Sequence, residues 1–326
     1  MSDALIQKFT ALVNEGLANN ENRADAVYTA LRSETEDAEL LDLLKQTFEA
    51  AYRPPSFNNV RITEPGMLLD QAYALLSAVM DADILDPKAA FSKPMLAALE
   101  HGTILDYAMV GRFWSVAGLQ RYRPDGTLAE FSYDPLAITS SVAAVVTGDY
   151  IPLETHVGLG IGGVGQAVSR VGMRGQRHGK YTSEAFESEM SSIAMQHGQQ
   201  LRLMILEAEP TARSFWAHLG YRYPENTRYM QPPIDYDRVS GDALYPAVPE
   251  LLMVKPMNGA STTEIERDLL IDAVRSMYRK WYVFDYVPES ARERVEQYVF
   301  GTLFQDFIDS LPPGSDPIRL VDPPSA

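Results

Sequence analysis

Residues 171–221 of the chain read VGMRGQRHGKYTSEAFESEMSSIAMQHGQQLRLMILEAEPTARSFWAHLGY, and this stretch decides the fold. The β-branched run just before it, residues 166–171, predicts a strand, and the two glycines that follow permit a tight turn. Apolar residues then recur at three- and four-residue spacing from Tyr181 to Ala194, which predicts an amphipathic helix. LRLMILEAE predicts a second strand, and the remainder a short helix ending at LGY.

The turn before the predicted helix has the features of an anion site. A turn that leads into a helix presents free N–H groups and the positive end of the helix dipole. The whole chain carries a formal net charge of −16, yet residues 155–183 contain no Asp or Glu. They contain four cations, Arg170, Arg174, Arg177 and Lys180. A local positive charge in an acidic protein favours a polyanionic ligand, with a solvated basic turn as the alternative.

The same turn resembles the acyl-CoA-binding loop of the GCN5-related N-acetyltransferase (GNAT) superfamily. That loop has the pattern Arg/Gln-x-x-Gly-x-Gly/Ala, and RGQRHG occupies it here at residues 174–179. Arg174 and Gly179 match the pattern, whereas Arg177 replaces its first glycine. The guanidinium of Arg177 offers additional contacts to phosphate, so the resemblance still implies a CoA pyrophosphate site.

Two further segments resemble the same superfamily in the same order. ARSFWAHLGY, residues 212–221, is similar to its A-x-x-F-Y-x-x-x-G-F segment, and LLMVKP, residues 251–256, to its closing strand. The resemblance implies an α/β fold with a GNAT-like mixed central sheet flanked by helices. We expect a helical N-terminal extension at residues 1–57, a GNAT-like acyl-CoA-binding domain at 58–257 and a helical C-terminal extension at 258–326.

The resemblance further implies an acyl-CoA-dependent N-acyltransferase with acetyl-CoA or a related acyl-CoA as co-substrate. The acyl group would pass directly to a primary amine of a small molecule or peptide. The oxyanion would meet a backbone N–H on the strand before the loop, at about residues 170–172. The residues expected to bind the cofactor are Val171, Arg174, Gly175, Gln176, Arg177, His178, Gly179, Lys180, Arg213 and Phe215.

The catalytic groups are harder to assign. Family members that use a tyrosine as the acid commonly carry it where this chain has Trp216, and an indole N–H does not release a proton at neutral pH. Trp216 therefore either acts otherwise or packs at the wall of the cleft. Tyr221, Tyr223 and Tyr229 are the nearby alternative acids, and water is another.

The predicted general base is Glu207, on the second strand of the decisive stretch, where a partly dry cleft would raise its pKa. Glu209 and Glu154 are alternatives. Because the usual tyrosine is missing, a non-catalytic acyl-CoA-binding module with a sensory or scaffold role is the second hypothesis. A third is a decarboxylating or S-acyl-transferring relative that acts on carrier-bound thioesters, for which His218 is the single candidate residue.

A glycine-rich segment competes with this interpretation. Residues 158–163 and 160–165 both satisfy G-x-G-x-x-G, the dinucleotide-binding pattern. That pattern requires a buried strand before it and a helix after it, but the residues that follow, QAVSRV, are strand-like. We expect a flexible or bulged start of the central strand instead.

Composition excludes several classes of protein. The chain has 326 residues, 46% of them hydrophobic, and no cysteine, so disulfides and thiolate metal sites are excluded. Its five histidines never pair at a spacing of three or four residues, and we expect no metal. A pI near 4.7 argues against nucleic acid. No apolar run approaches membrane-spanning length and the N-terminus does not resemble a signal peptide, so a cytoplasmic protein without membrane contact is expected.

The C-terminal tail is rich in aromatic residues. Residues 277–286 read MYRKWYVFDY, and apolar residues at helical spacing follow from Val295 to Phe307. Such a cluster predicts core packing, with a homodimer surface through the helical extensions as the alternative.

Overall fold

The computed structural model describes residues 5, 7–9, 11–12, 29–33, 35–51, 56–80, 85–119, 133–171, 174–234, 236, 242–243, 245–285, 287–314 and 316–324. They fall into two compact units, one formed by Met1–Val60 and Arg112–Ala143 and the other by Arg61–Gly111 and Ala144–Ala326. The three-part division at residues 57 and 257 stays a prediction.

The first unit contains the helix α1, Ala38–Ala51. The helix begins after Asp37, whose Oδ1 accepts the backbone N–H of Leu40 at 3.0 Å. Leu41 and Leu44 of this helix are buried, as are Leu5, Phe9 and Leu31. Apolar side chains near the N-terminus therefore point inward where the structure describes them.

The larger elements of the chain follow in a fixed order. After α1 come β1 (Ser56–Ile62), α2 (Met67–Val79), α3 (Lys88–His101), β2 (Tyr107–Leu119), β3 (Tyr133–Pro152), β4 (Leu159–Ser169), α4 (His178–Gln196), β5 (Gln200–Ala208) and α5 (Arg213–His218). Short strands β6 (Tyr223–Pro224), β7 (Met230–Gln231) and β8 (Val248–Pro249) lead to β9 (Leu251–Pro256) and β10 (Glu264–Ile265). The C-terminal part contains α6 (Arg267–Met277), a π-helix (Tyr278–Asp285), α7 (Arg292–Tyr298), a second π-helix (Val299–Leu303), α8 (Phe304–Ser310) and β11 (Ile318–Val321).

Six strands form one mixed sheet in the order β1-β2-β3-β4-β5-β9. β3 and β4 pair antiparallel, β4 and β5 parallel, and β5 and β9 antiparallel. Along the sequence, helices precede, separate and follow the strands of this sheet. The predicted fold class is therefore confirmed: a mixed α/β fold with a central mixed sheet and helices at both ends.

Side chains of β5 alternate between two hydrophobic layers. Met204 and Leu206 pack with Phe186, Met190 and Ile193 of α4, on what we call the α4 face. Leu203 and Ile205 pack with Val274, Met277, Tyr278 and Tyr282, on what we call the π face. Because successive strand residues point to opposite faces, Glu207 of β5 belongs to the π face.

The glycine-rich segment lies inside β4 and does not merely lead into it. The predicted strand of residues 166–171 in fact begins at Leu159 and ends at Ser169. A Cβ on Gly163 would lie 2.4 Å from Cζ2 of Trp281, so the glycine is required for this side chain to lie against the strand. The expected irregularity is present, since the β3–β4 register shifts between Thr147 and Gly148.

The aromatic tail segment contributes to the core of its own unit. Tyr278, Trp281, Tyr282 and Val283 are buried, as core packing predicted. A homodimer stays a prediction. Within the described residues, none of the helices combines the length and the apolar character needed to cross a membrane.

Candidate functional site

Strands β4 and β5 separate at one end of the sheet. Their last pair is Val164 with Leu206, whereas β4 continues to pair with β3 as far as Ser169 opposite Ala144. Both strands are fully described, and no β4–β5 pair forms beyond Val164 and Leu206. Backbone N–H groups of β4 that point away from β3 therefore face an open space past this point.

A β-bulge accompanies the separation. Thr147 pairs with Gln166 and Gly148 pairs with Val164, so Gly165 is the additional residue of β4. The hydroxyl of Thr147 accepts the backbone N–H of Gln166 at 3.2 Å. A bulge bends its strand and increases the local twist, which accounts for the divergence of β4 from β5.

The space between the strands is a cavity of about 1010 Å³. Its walls come from the ends of β4 and β5, the loop before α4, the first turns of α4, and α5. The residues that line it are Val79, Met80, Val146, Val164, Gly165, Gln166, Ala167, Val168, Ser169, Arg174, Gly175, Arg177, His178, Gly179, Lys180, Ser183, Leu206, Glu207, Glu209, Thr211, Ala212, Phe215, Trp216, His218 and Leu219.

The loop before α4 contains two residues in the left-handed backbone conformation. Gly175 and Arg177 both have positive φ, 83° and 64°, and Arg177 is the residue that caps α4. Arg177 thus adopts the left-handed conformation that a glycine would take at this position. The first turn of the 19-residue helix α4, whose backbone N–H groups have no partner within the helix, follows Arg177 and lines the cavity.

Positive charge lies at the same end of the cavity. The side chains of Arg174, Arg177 and Lys180 are exposed there, and Lys180 makes a loose surface ion pair of 3.6 Å with Glu184. Ser183, on the second turn of α4, lines the cavity with 2% of its surface exposed. Its Oγ has no hydrogen-bond partner among the described residues, so it is available to a bound polar group.

Seven of the predicted cofactor-binding residues line the cavity: Arg174, Gly175, Arg177, His178, Gly179, Lys180 and Phe215. The other three lie outside its lining. Gln176 contacts His178, with 3.2 Å between Oε1 of Gln176 and Nε2 of His178. Val171 follows β4 and is exposed, and Arg213 begins α5.

Trp216 forms part of the cavity wall. Its ring lies edge-on to Phe215 at 5.0 Å and to Tyr221 at 5.2 Å between centroids, and it is buried. Phe215 is 38% exposed and lies against Gly179, where an added Cβ would be 3.2 Å from its Cζ. This placement fits packing at the wall, one of the two roles expected for Trp216.

Tyr221 lies apart from the cavity. It is fully buried, it does not belong to the cavity lining, and Nζ of Lys255 lies 5.7 Å from its ring centroid. Burial and the neighbouring negative charge of Glu187, to which its hydroxyl is hydrogen-bonded, raise the pKa of Tyr221 well above its usual value. The structure thus places this predicted acid in a buried cluster with Glu187 and Lys255, behind Trp216 and outside the cavity lining.

Glu207 lines the cavity from the π face. Its Oε1 accepts the hydroxyl of Tyr229, and its Oε2 accepts the hydroxyl of Tyr282 at 2.5 Å and Nε2 of Gln231 at 2.9 Å. Burial raises the pKa of the Glu207 carboxyl, and these hydrogen bonds offset only part of the increase. The sequence interpretation did not include Gln231 and Tyr282 in the site.

The other catalytic candidates named from the sequence, Glu209, Glu154 and His218, have different surroundings from Glu207. Glu209 lines the cavity and is exposed to solvent. Glu154 lies in the turn between β3 and β4, where Arg279 Nε is 2.5 Å from its Oε1. His218 lines the cavity, with its Nδ1 2.5 Å from the carbonyl oxygen of Ser214.

The comparisons with known proteins give similarity to solved structures alone. No family model matches the chain, and no curated protein matches it. It is similar to the structure of Arabidopsis thaliana NAA60 in complex with acetyl-CoA, with 12% identity, a TM-score of 0.38, and coverage of 63% of this chain and 100% of that one.

The chain is also similar to two further solved structures. Glucosamine-6-phosphate N-acetyltransferase from Arabidopsis thaliana matches with 12% identity and a TM-score of 0.32, over 51% of this chain and 90% of that one. A Trypanosoma brucei acetyltransferase matches with 16% identity and a TM-score of 0.31, over 52% of this chain and 95% of that one.

Proposed function

We propose that the chain is an acyl-CoA-dependent N-acyltransferase that uses acetyl-CoA or a related thioester. The observation that carries the proposal is the continuity of three features: the open β4–β5 end, the basic loop and the first turn of α4 border one cavity. The acceptor in this proposal is a primary amine of a small molecule or peptide.

In the proposed complex the two ends of the cofactor meet different chemistry. The pyrophosphate lies against the backbone N–H groups before α4 and near Arg174, Arg177 and Lys180, because a helix N-terminus and cations both favour an anion. The pantetheine arm runs between the separated strands, where unpaired N–H groups of β4 can donate to its amides. Ser183 and Phe215 supply a hydroxyl and an aromatic surface to the same cavity.

The proposed reaction is direct transfer. The acceptor amine loses a proton to Glu207 and attacks the thioester carbon, and a backbone N–H of β4 stabilises the oxyanion. We place this N–H among residues 165–169, upstream of the 170–172 expected from the sequence, because the strands separate at Gly165. The C–S bond then breaks, and water in the cavity mouth protonates the CoA thiolate, since Tyr221 is buried elsewhere.

The test is turnover with release of free CoA from acetyl-CoA, measured across a panel of primary amines. Glu207→Gln should lower kcat by about 10²- to 10⁴-fold, the usual contribution of a general base. The affinity for acetyl-CoA should not change. Glu209→Gln is the matched control, because it removes a carboxylate from the same cavity at an exposed position. Equal rates for wild type and Glu207→Gln would contradict the proposed role of Glu207.

The second candidate function is acyl-CoA binding without turnover, in a sensory or scaffold role. It is favoured by Trp216, which stands where family members commonly have the tyrosine acid and packs into the cavity wall. Acetyl-CoA binding with no CoA release for any amine in the panel would support this alternative over the acyltransferase.

A further inference from the structure

The carboxylate of Glu207 is held by three donors from two separate parts of the chain. Tyr229 lies just before β7, Gln231 lies within β7, and Tyr282 lies in the π-helix of Tyr278–Asp285. These partners are 22, 24 and 75 residues away from Glu207. Gln231 Nε2 also lies 3.2 Å from the hydroxyl of Tyr282, so the donors form one connected network.

The network leaves one acceptor position on the carboxylate. An ionised carboxylate offers about four lone-pair positions over its two oxygens. Among the residues that the structure describes, Oε2 receives two donors, Tyr282 and Gln231, whereas Oε1 receives one, Tyr229. The remaining position is therefore on Oε1, and the orientation of the carboxylate fixes where it points.

We propose that Tyr282 is a positioning residue for acyl transfer, which holds Oε2 of Glu207 so that Oε1 receives the proton of the acceptor amine. This inference rests on the proposed function. It makes the C-terminal segment, expected from the sequence to be an extension, a part of the catalytic site.

The π-helix supports this assignment. It continues α6 without a break and turns three aromatic residues inward, each with a polar partner on the π face. Tyr278 donates to the carbonyl oxygen of Met230 at 2.5 Å, Trp281 Nε1 to Asp149 at 3.0 Å, and Tyr282 to Glu207. π-Helical turns are rare and frequently occur at functional sites, since their looser geometry is retained only where it is needed.

The groups around Glu207 determine whether loss of the Tyr282 hydroxyl raises or lowers the pKa of Glu207. Those that face it are Tyr229, Tyr278 and Tyr282 on the π face, and Glu250, which precedes β9 and whose pKa burial and the charge of Glu207 raise. A hydroxyl that donates to the carboxylate stabilises its charged form. Loss of the Tyr282 hydroxyl should therefore raise the pKa of Glu207 further.

The experiment compares Tyr282→Phe with Tyr278→Phe. Both variants remove one hydroxyl from the same π-helix, but the hydroxyl of Tyr278 donates to a backbone carbonyl and not to Glu207. In Tyr282→Phe the acidic limb of the plot of kcat/KM against pH should move to higher pH by about one unit. On that limb kcat/KM should be about tenfold lower than in wild type, and in alkali the two values should converge. Tyr278→Phe, which removes a hydroxyl that reaches the carboxylate only through Tyr229, should move the limb less than Tyr282→Phe does.

A second variant and a second readout keep the test decisive. Gln231→Met removes the other Oε2 donor from a half-buried position and should move the limb in the same direction, even if Tyr282→Phe does not fold. The carboxyl ¹³C resonance of Glu207, assigned with Glu207→Gln in protein labelled at glutamate, reports the same midpoint without turnover.

Failure of the role assigned to Tyr282 can be distinguished from failure of the proposed acyltransferase function. Wild-type limbs and wild-type ¹³C midpoints in both Tyr282→Phe and Gln231→Met, with normal turnover in the wild-type protein, would overturn the role of Tyr282 alone. Absence of turnover in the wild-type protein would overturn the proposed function and this inference with it.

Discussion

Val164 of β4 and Leu206 of β5 form the last pair between their strands, and the residues that follow them, Gly165 and Glu207, both border the cavity. One divergence of the backbone therefore opens the cavity and places a carboxylate in its wall. Because β3 still pairs with β4 as far as Ser169, the divergence opens only the β5 side.

The basic loop should determine cofactor affinity. The double substitution Arg174→Ala/Arg177→Ala is expected to weaken binding of free CoA by about tenfold or more, because each guanidinium can form a charge-assisted hydrogen bond to phosphate. Calorimetric titration measures the change. Both side chains are exposed, so the melting temperature should stay near the wild-type value.

A control for total charge is available in the same chain. Arg294→Ala/Arg319→Ala also removes two cations, from exposed side chains outside the cavity lining. Its CoA affinity should match wild type. Equal affinities for both double variants would disprove the placement of phosphate at the loop.

Gly163→Ala should destabilise the protein. Its Cβ would lie 2.4 Å from the indole of Trp281, and displacing that ring also disturbs the hydrogen bond from Trp281 to Asp149. Overpacking of this kind costs about 1–3 kcal/mol, measurable by denaturant unfolding. Gly165→Ala is the matched control, because its Cβ would meet Thr147 at an ordinary 3.7 Å. A larger loss for Gly165→Ala would contradict the observed packing.

Asp149 should make the protein less stable as the pH rises. Burial, opposed mainly by Lys280, raises the pKa of Asp149 to about 6 from 3.8. A raised carboxyl pKa contributes stability that is present below the unfolded-state pKa and is lost as the pH rises through about 6. The free energy of unfolding of Asp149→Asn relative to wild type should increase between about pH 4 and about pH 8, by at most about 3 kcal/mol.

The contribution of Asp272 to stability should depend on pH in the opposite direction to that of Asp149. Although it is buried, hydrogen bonds from His156 and Thr155 lower its pKa. Its contribution is present at neutral pH and is lost as the pH falls through the folded-state pKa. Asp272→Asn should thus be less stable than wild type at neutral pH, with the gap closing in acid. The same pH trend for both variants would refute these two assignments.

Tyr221→Phe should leave turnover nearly unchanged, within about twofold, whereas loss of a true general acid costs about 10²- to 10⁴-fold. The reason is its location, since its hydroxyl interacts with Glu187 inside the protein. A steady-state assay with wild type and Glu207→Gln as references checks this. A loss as large as that of Glu207→Gln would restore Tyr221 as the acid.

The loop and its helix could be predicted because their signals are local. The basic residues, the glycine at position 175 and the three- and four-residue spacing of α4 all lie within one short stretch of sequence. Arg177 looked like a departure from the family pattern, and its φ of 64° shows that an arginine adopts the backbone conformation of the missing glycine.

The partners of Glu207 could not be predicted because they are distant in sequence. Strand alternation indicates which face Glu207 occupies, but it does not indicate that Tyr282, 75 residues later, returns to the same place. The glycine-rich pattern was ambiguous for the same reason. Gly163 accommodates Trp281, and only the folded chain brings these two residues together.

The most direct test of the account is calorimetric titration of the purified protein with acetyl-CoA, with free CoA and NADH in parallel. The proposed cofactor site should bind both CoA species with a dissociation constant on the order of micromolar, and NADH should give no heat. Absence of binding by either CoA species would contradict it, because the loop, the separated strands and α4 would then not form a cofactor site.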